Sequence, residues 1–229
     1  MKLGIMQPYF FPYIGYFQLI NAVDKYVIYD DVNYIKSGWI NRNRILLNNR
    51  DFLLNLNLKE SSSFKKINEI VIGNNGDKLL KTITQAYKKA PHYSQAYPLI
   101  EQIINYSGNN LAKFLANSII LVSEYLGIKT EFVVSSDLQK NNELKGQDKV
   151  ISICKTLNAS EYYNAIGGQE LYSKNTFEEK SIKLFFLKTN PIHYKQFDNE
   201  FIPNLSIIDV IMFNSPQQIN KMLNEYELL

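Results

Sequence analysis

Apolar and polar positions along the chain change period several times. Leu3 to Met6 is a short apolar run closed by Gln7-Pro8. Proline cannot donate to a central ladder, so the run reads as a buried strand that ends there. An aromatic loop, Tyr9 to Tyr13, follows. Gly15 to Ala22 carries Phe17, Leu19 and Ile20, with Val23 just beyond, which suits a short helix packed on that strand. Tyr26-Val27-Ile28-Tyr29 is β-branched and aromatic and stops at Asp30-Asp31, a second strand. Strand, helix and strand in direct succession make a βαβ unit, which implies parallel pairing and a right-handed crossover.

Arg44 to Leu58 alternates and breaks at Asn48-Asn49-Arg50-Asp51, the pattern of a β-hairpin. The period then becomes helical across a segment of about 76–126. Leu79, Leu80, Ile83 and Tyr87 form one stripe, closed by Pro91. Leu99, Ile103 and Ile104 form a second. Leu111, Phe114, Leu115, Ile119, Val122 and Leu126 form a third, stopped by Gly127. Thr130 to Val134 returns to strand, and Asp148 to Leu157 is a helix with Val150, Ile151, Cys154 and Leu157 inward. Lys183 to Leu187 is a further strand, and Ile207 to Phe213 and Gln217 to Leu223 are closing helices. The expected fold class is α/β: a parallel-sheet core, an early β-hairpin and inserted helices, in one domain over 1–229.

Composition narrows the function classes. At 229 residues and 45% hydrophobic, the chain can bury a core without a staple. One cysteine, Cys154, excludes an internal disulfide and a Cys-rich zinc site, as in a reducing cytoplasm. The opening apolar run is too short for a secretory segment, and no stretch reaches the roughly 20 apolar residues of a bilayer span. A cytoplasmic protein without direct membrane insertion is expected. The net charge of +3 is spread over scattered lysines, which argues against a nucleic-acid partner. Arginine is used otherwise. Arg42, Arg44 and Arg50 are the only ones, and all lie near the sole tryptophan, Trp39. A guanidinium offers a planar fork for carboxylate or phosphate that ammonium cannot copy; the alternative is an ion pair that orders a loop.

The stretch from Gly4 to Phe17 is the most unusual in the chain. Its aromatic residues crowd a loop at the carboxyl end of the first strand, where open α/β sheets bind ligands. Its spacing resembles the nucleotide-binding turn of adenylyltransferases and pantothenate synthetases, in which His-x-Gly-His opens the helix. Here the corresponding residues are Tyr13-Ile14-Gly15-Tyr16. Tyrosine can hydrogen-bond phosphate oxygens but lacks imidazolium charge, so that charge would have to come from Arg42 or Arg44. A direct nucleotidyltransferase is disfavoured by the same replacement. The alternative for the loop is aromatic packing in the core.

Several blocks, in order, resemble the WbqC-like family, which is associated with O-antigen and other surface-polysaccharide biosynthesis. They are Met6 to Phe17, Asp24 to Tyr34 followed by Lys36, Trp39, Asn41, Arg42 and Asn43, then Tyr87, Ala90-Pro91, Leu126-Gly127-Ile128, Ser135-Ser136, Ala159 and Tyr162, and finally Leu205 to Asp209 with Phe213-Asn214. Ser215-Pro216 departs from the glycine that commonly follows that asparagine. The resemblance implies a transferase or amide-forming ligase in surface-glycan precursor synthesis. Its substrates would be a nucleotide sugar and an acyl group such as glycine, with other glycan-pathway enzymes as partners; the likeness to the adenylyltransferase and pantothenate synthetase turn would add ATP and Mg²⁺ as activating cofactors, the alternative being no cofactor. A non-catalytic nucleotide-sugar-binding or assembly protein is the alternative.

The residues expected to carry the chemistry fall in the first fifty positions. Gln7, Tyr9, Tyr13, Gly15 and Tyr16 would line a nucleotide or substrate pocket, with Trp39, Asn41 and Asn43. Arg42 and Arg44 share one face of an extended segment and the two amides share the other, so the arginines would bind phosphate or developing charge. Asp30 or Asp31 would position Mg²⁺ or an amine, or else make local turn hydrogen bonds. No metal site is expected of His92 and His193, which lie far apart, and Cys154 falls on an apolar stripe. Asp209 suits the start of a helix, and Gly167-Gly168 is a weak phosphate-turn signal. Arg42→Lys is expected to keep the fold and lose activity, because the fork is gone; a turnover rate equal to the parent's would take Arg42 out of the site.

Overall fold

The structure, a computed structural model, describes residues 1–198 and 200–229. β1 (Lys2–Met6) leads through the aromatic loop into α1 (Ile14–Asn21) and returns as β2 (Lys25–Ile28). The two strands pair in parallel from Leu3↔Lys25 to Met6↔Ile28, the expected βαβ unit. A hairpin follows, β3 (Arg42–Leu47) and β4 (Arg50–Asn55), turning through Asn48 and Asn49. Both turn residues have positive φ, 52° and 63°, the two-residue turn whose twist matches antiparallel strands and which asparagine tolerates. The short strands β5 (Leu58–Lys59) and β6 (Val71–Ile72) pair with each other. The helices α2 (Gly76–Tyr87), α3 (Tyr93–Ile104) and α4 (Leu111–Tyr125) then carry the three apolar stripes inward.

The chain re-enters the sheet as β7 (Glu131–Val134), crosses through α5 (Gly146–Thr156) to β8 (Glu161–Ala165), and continues through α6 (Lys174–Glu178) to β9 (Lys183–Thr189). It ends in α7 (Ile207–Phe213), α8 (Pro216–Met222) and β10 (Tyr226–Leu228). The spatial order is β10-β9-β8-β1-β2-β7, parallel throughout except for the β10–β9 edge pair. In chain order within this sheet that is 3-2-1-4-5-6, the order of doubly wound nucleotide-binding sheets. The direction of winding reverses between β1 and β8.

Alternation along the strands feeds two cores. Leu3, Ile5 and Val27 face α5 and Phe177, while Tyr26 and Ile28 face α1, α7 and the helical insertion. Cys154 is buried on the first face, where burial pushes its thiol up to about 12; it packs and does not react. No helix is long and apolar enough to cross a membrane among the described residues.

The loop after β1 is built against its own preferences. Phe11 takes φ 42°, a region that costs a bulky residue about 1–3 kcal/mol. Its fully buried ring, edge-on to Phe10 at 4.9 Å, offsets part of that. Hydrogen bonds supply the rest. The Asn43 amide donates to the carbonyls of Phe11 (2.7 Å) and Phe10 (3.3 Å), and the Ser206 hydroxyl donates to Phe11 (2.8 Å). The Ser206 and Ile207 amides in turn donate to the carbonyls of Arg44 and Pro12. One buried side chain of β3 and the cap residue of α7 thus clamp the aromatic loop from two sides. Asn43→Ala strips a donor from two buried carbonyls and is expected to lower unfolding stability by roughly 2–4 kcal/mol. Ser206→Ala should cost less, and urea unfolding of both variants measures the difference.

Candidate functional site

The clamped loop forms one wall of a cavity of about 320 Å³, lined by Tyr9, Pro12, Tyr13, Trp39, Asn43, Arg44 and Asn204. Tyr9 packs on Tyr16 at 5.6 Å, so its ring is held from behind. Trp39 is 45% exposed, unusual for a residue whose carbonyl is anchored by the Phe10 amide. The Arg44 guanidinium lies 5.8 Å from the Trp39 ring, and its Nη1 donates to Asp51 at 3.2 Å. Its Nε is buried with no partner among the described residues. The Arg44 side chain as a whole is partly exposed beside the aromatic wall, so its guanidinium can offer charge-assisted hydrogen bonds to an anionic ligand.

The other residues singled out from the sequence lie beneath or beyond this wall. Arg42 donates through Nε to the carbonyl of Gly38 (3.0 Å) and through its terminal nitrogen to that of Ser37, so its fork holds the turn that presents Trp39. Asn41 donates to the carbonyl of Leu56 and accepts from the Tyr34 hydroxyl, tying the same turn to the hairpin. Tyr16 is buried and donates to the carbonyl of Gln7 at 2.9 Å; burial raises its phenol well above the ordinary value. A Cβ on Gly15 would collide with the Tyr13 ring and the Thr189 hydroxyl, so this glycine lets Tyr13 fold back over the helix start. Gly168 likewise has no room for a Cβ, because the Asn164 amide fills it.

Asp30 and Asp31 point to different partners. Asp30 accepts from the Ser136 amide (2.9 Å), the Ser136 hydroxyl (2.7 Å) and Asn68 (3.3 Å), on the wall of a separate cavity at the carboxyl ends of β2 and β7. Asp31 accepts from the Ser135 hydroxyl (2.7 Å), Lys149 (2.9 Å) and Lys140 (3.0 Å), all buried. Lys149 also donates to the Asp31 carbonyl and lies 5.2 Å from the Tyr29 ring. Burial alone would raise the Asp31 pKa; the bonds from Ser135, Lys149 and Lys140 outweigh it and hold the carboxyl below its usual value. With two ammonium groups on its oxygens, Asp31 does not fit a Mg²⁺ ligand. Among the described residues no group of three His, Cys, Asp or Glu could hold a metal ion.

Sequence reasoning passed over Lys140, Lys149 and Asn204. The lysines were lost among many others, and only the sheet brings them together under Asp31. Asn204 belongs to an irregular segment, and its φ of 57° is a backbone feature with no sequence pattern beyond asparagine's tolerance of that region.

The model of the WbqC-like protein family matches residues 7–221, and the chain belongs to that family. The uncharacterized protein Rv1507c of Mycobacterium tuberculosis is 28% identical over 220 residues, spanning 93% of each chain. No solved structure matches.

Asp31→Asn leaves two buried ammonium groups with no counter-charge and is expected to cost roughly 3–5 kcal/mol near neutral pH. The folded pKa of Asp31 is depressed, so its contribution is present above about pH 4, the unfolded aspartate value, and fades as pH falls through the folded value. The stability gap between parent and variant should therefore narrow below about pH 4. Denaturant melts at pH 7 and pH 3 measure it; a gap that is constant or widens in acid contradicts the assignment.

Proposed function

We propose that this WbqC-like protein binds a phosphorylated, ring-bearing small molecule, a nucleotide-linked sugar, and acts on it in surface-glycan precursor synthesis. The observation that carries the reading is the cavity in which Tyr9, Tyr13 and Trp39 stand around the partly exposed Arg44 guanidinium. Ring faces supply stacking area and Arg44 supplies charge-assisted hydrogen bonds to phosphate. The sheet order places the β1 loop where such ligands bind in doubly wound folds, which supports the reading by analogy only.

The finer form of the proposal is an amide-forming ligase of the cytoplasm. ATP would activate the carboxylate of an amino acid such as glycine, and the amine of the nucleotide-linked sugar would attack it. Asp31, neutralised by its lysines, would take no part, so Mg²⁺ would enter with the phosphates of the nucleotide. A second reading, binding without turnover, is favoured by the wall itself: the residues lining this cavity include no carboxylate or imidazole to move a proton.

Thermal unfolding against Mg-ATP, UDP-, dTDP- and GDP-linked amino sugars, and glycine, singly and together, separates these forms. A ligand at 100 times its dissociation constant stabilises the fold by about 2.7 kcal/mol. Additive shifts from Mg-ATP and glycine support the ligase; a shift from nucleotide sugars alone supports the binder. Arg44→Lys removes the planar fork, and its exposed ion pair with Asp51 contributes little to the fold. Affinity for the bound nucleotide should fall roughly 10- to 100-fold with stability unchanged. Equal affinity in parent and variant would remove Arg44 from the site.

A further inference from the structure

A second cavity, of about 390 Å³, adjoins the first, and Asn204 lines both. Its chemistry is different. The wall offers the Asn190 and Asn204 amides, the Thr189 hydroxyl and the His193 imidazole, set among the Phe201 ring and prolines. No carboxylate, ammonium or guanidinium is among its lining residues.

Two further observations mark it as built for a ligand. The Thr189 Oγ, packed against Gly15, is buried and has no hydrogen-bond partner among the described residues, a cost a native structure avoids unless something else meets it. The rings of His193 and Phe201 lie 5.0 Å apart and give an apolar face beside the amides. Amide and hydroxyl groups beside two ring faces tilted by 52° suit an uncharged ring bearing hydroxyls, and a wall without a permanent charge suits phosphate less well.

We infer that this second cavity is the subsite for the neutral, hydroxylated ring of the ligand, so that one molecule spans both cavities across Asn204, its anionic end on Arg44 and its sugar ring between Thr189 and His193. The inference rests on the function proposed above and adds to it a division of the site.

The sole tryptophan, Trp39, lines the first cavity, so its fluorescence reports occupancy there directly. The test titrates the intact protein with three pairs of probes: UDP and UDP-N-acetylglucosamine, dTDP and dTDP-glucose, GDP and GDP-mannose. In at least one pair the sugar conjugate should bind about tenfold tighter than the bare diphosphate. Thr189→Val, which keeps shape and loses the hydroxyl, and His193→Ala should each reduce that ratio about fivefold, the effect of one neutral hydrogen bond. Neither should change affinity for the bare diphosphate. If diphosphates quench Trp39 and no sugar adds affinity, the subsite is refuted while the nucleotide-binding reading stands. Equal weakening of both members of a pair by the variants also refutes it. If no probe quenches Trp39 or shifts the melt, both readings fall together.

Discussion

The Asn43 amide, donating to two carbonyls of the aromatic loop, is the contact on which the site depends. A loop with Phe11 at φ 42° will not hold that shape alone, since relaxing one residue toward an ordinary backbone region gains about 1–3 kcal/mol. Asn43 reaches it from the hairpin and Ser206 from the start of α7, elements separated by most of the chain. The strain is thereby made conditional on the whole fold: hairpin, sheet and closing helix must all be in place before the loop can present Tyr9 and Tyr13. The same logic applies to Trp39. Its exposure is maintained because Arg42 and Asn41 fasten the turn that carries it, while its carbonyl receives the Phe10 amide.

Two buried aspartates show how differently this fold meets the cost of charge. Asp209, fully buried in the first turn of α7, accepts from Tyr87 (2.8 Å), Tyr194 (2.7 Å) and Gln196 (2.7 Å), all neutral. Burial raises its pKa, and the three hydrogen bonds hold that rise back without reversing it. The Tyr87 hydroxyl also accepts the Leu46 amide, so one carboxylate ties together α2, α7, the hairpin and the segment beside the second cavity. Asp31 takes the opposite course, with two ammonium groups, and its pKa is lowered. The first arrangement fixes relative positions of elements through short neutral bonds. The second fastens α5 and the segment after β7 to the end of β2, away from the aromatic cavity.

Much of the scaffold could be read from apolar spacing. The βαβ opening, the hairpin with its Asn-Asn turn and the helical insertion follow from periodicity and turn chemistry. Strands β8 and β10 did not. Glu161-Tyr162-Tyr163-Asn164-Ala165 includes the polar Glu161 and Asn164 and has no clean alternation, although it pairs with the central strand, and Tyr226–Leu228 is too short to carry a pattern. The wall of the candidate site was legible in part. The crowding of aromatics and the concentration of arginine beside Trp39 pointed to residues that the structure brings onto one wall. What sequence could not distinguish was which member of each alternating pair faces the cavity and which faces the scaffold. Arg42 and Arg44 differ by two positions and read alike. Only their tertiary neighbours, two carbonyls in one case and an aromatic ring in the other, separate a residue that holds a turn from one with a free donor.

On the proposed reading, the two cavities would impose a direction on a ligand that spans them. With phosphate in the second cavity, its charge would meet amides, a hydroxyl and ring faces, with the His193 imidazole as the one group in the described wall able to gain positive charge, and a desolvated anion so poorly partnered is penalised heavily. With a neutral ring against Arg44, the buried Nε would stay unpaired, which carries its own cost. The reversed orientation is thus disfavoured at both ends, and the correct one satisfies both at once. Specificity of this kind comes from what the wrong arrangement leaves unpaired rather than from added contacts in the right one. On that reading a site with so few charged groups need not be a weak or indiscriminate one: a single guanidinium at one end and a wall of amides, a hydroxyl and ring faces at the other would suffice to orient an asymmetric ligand.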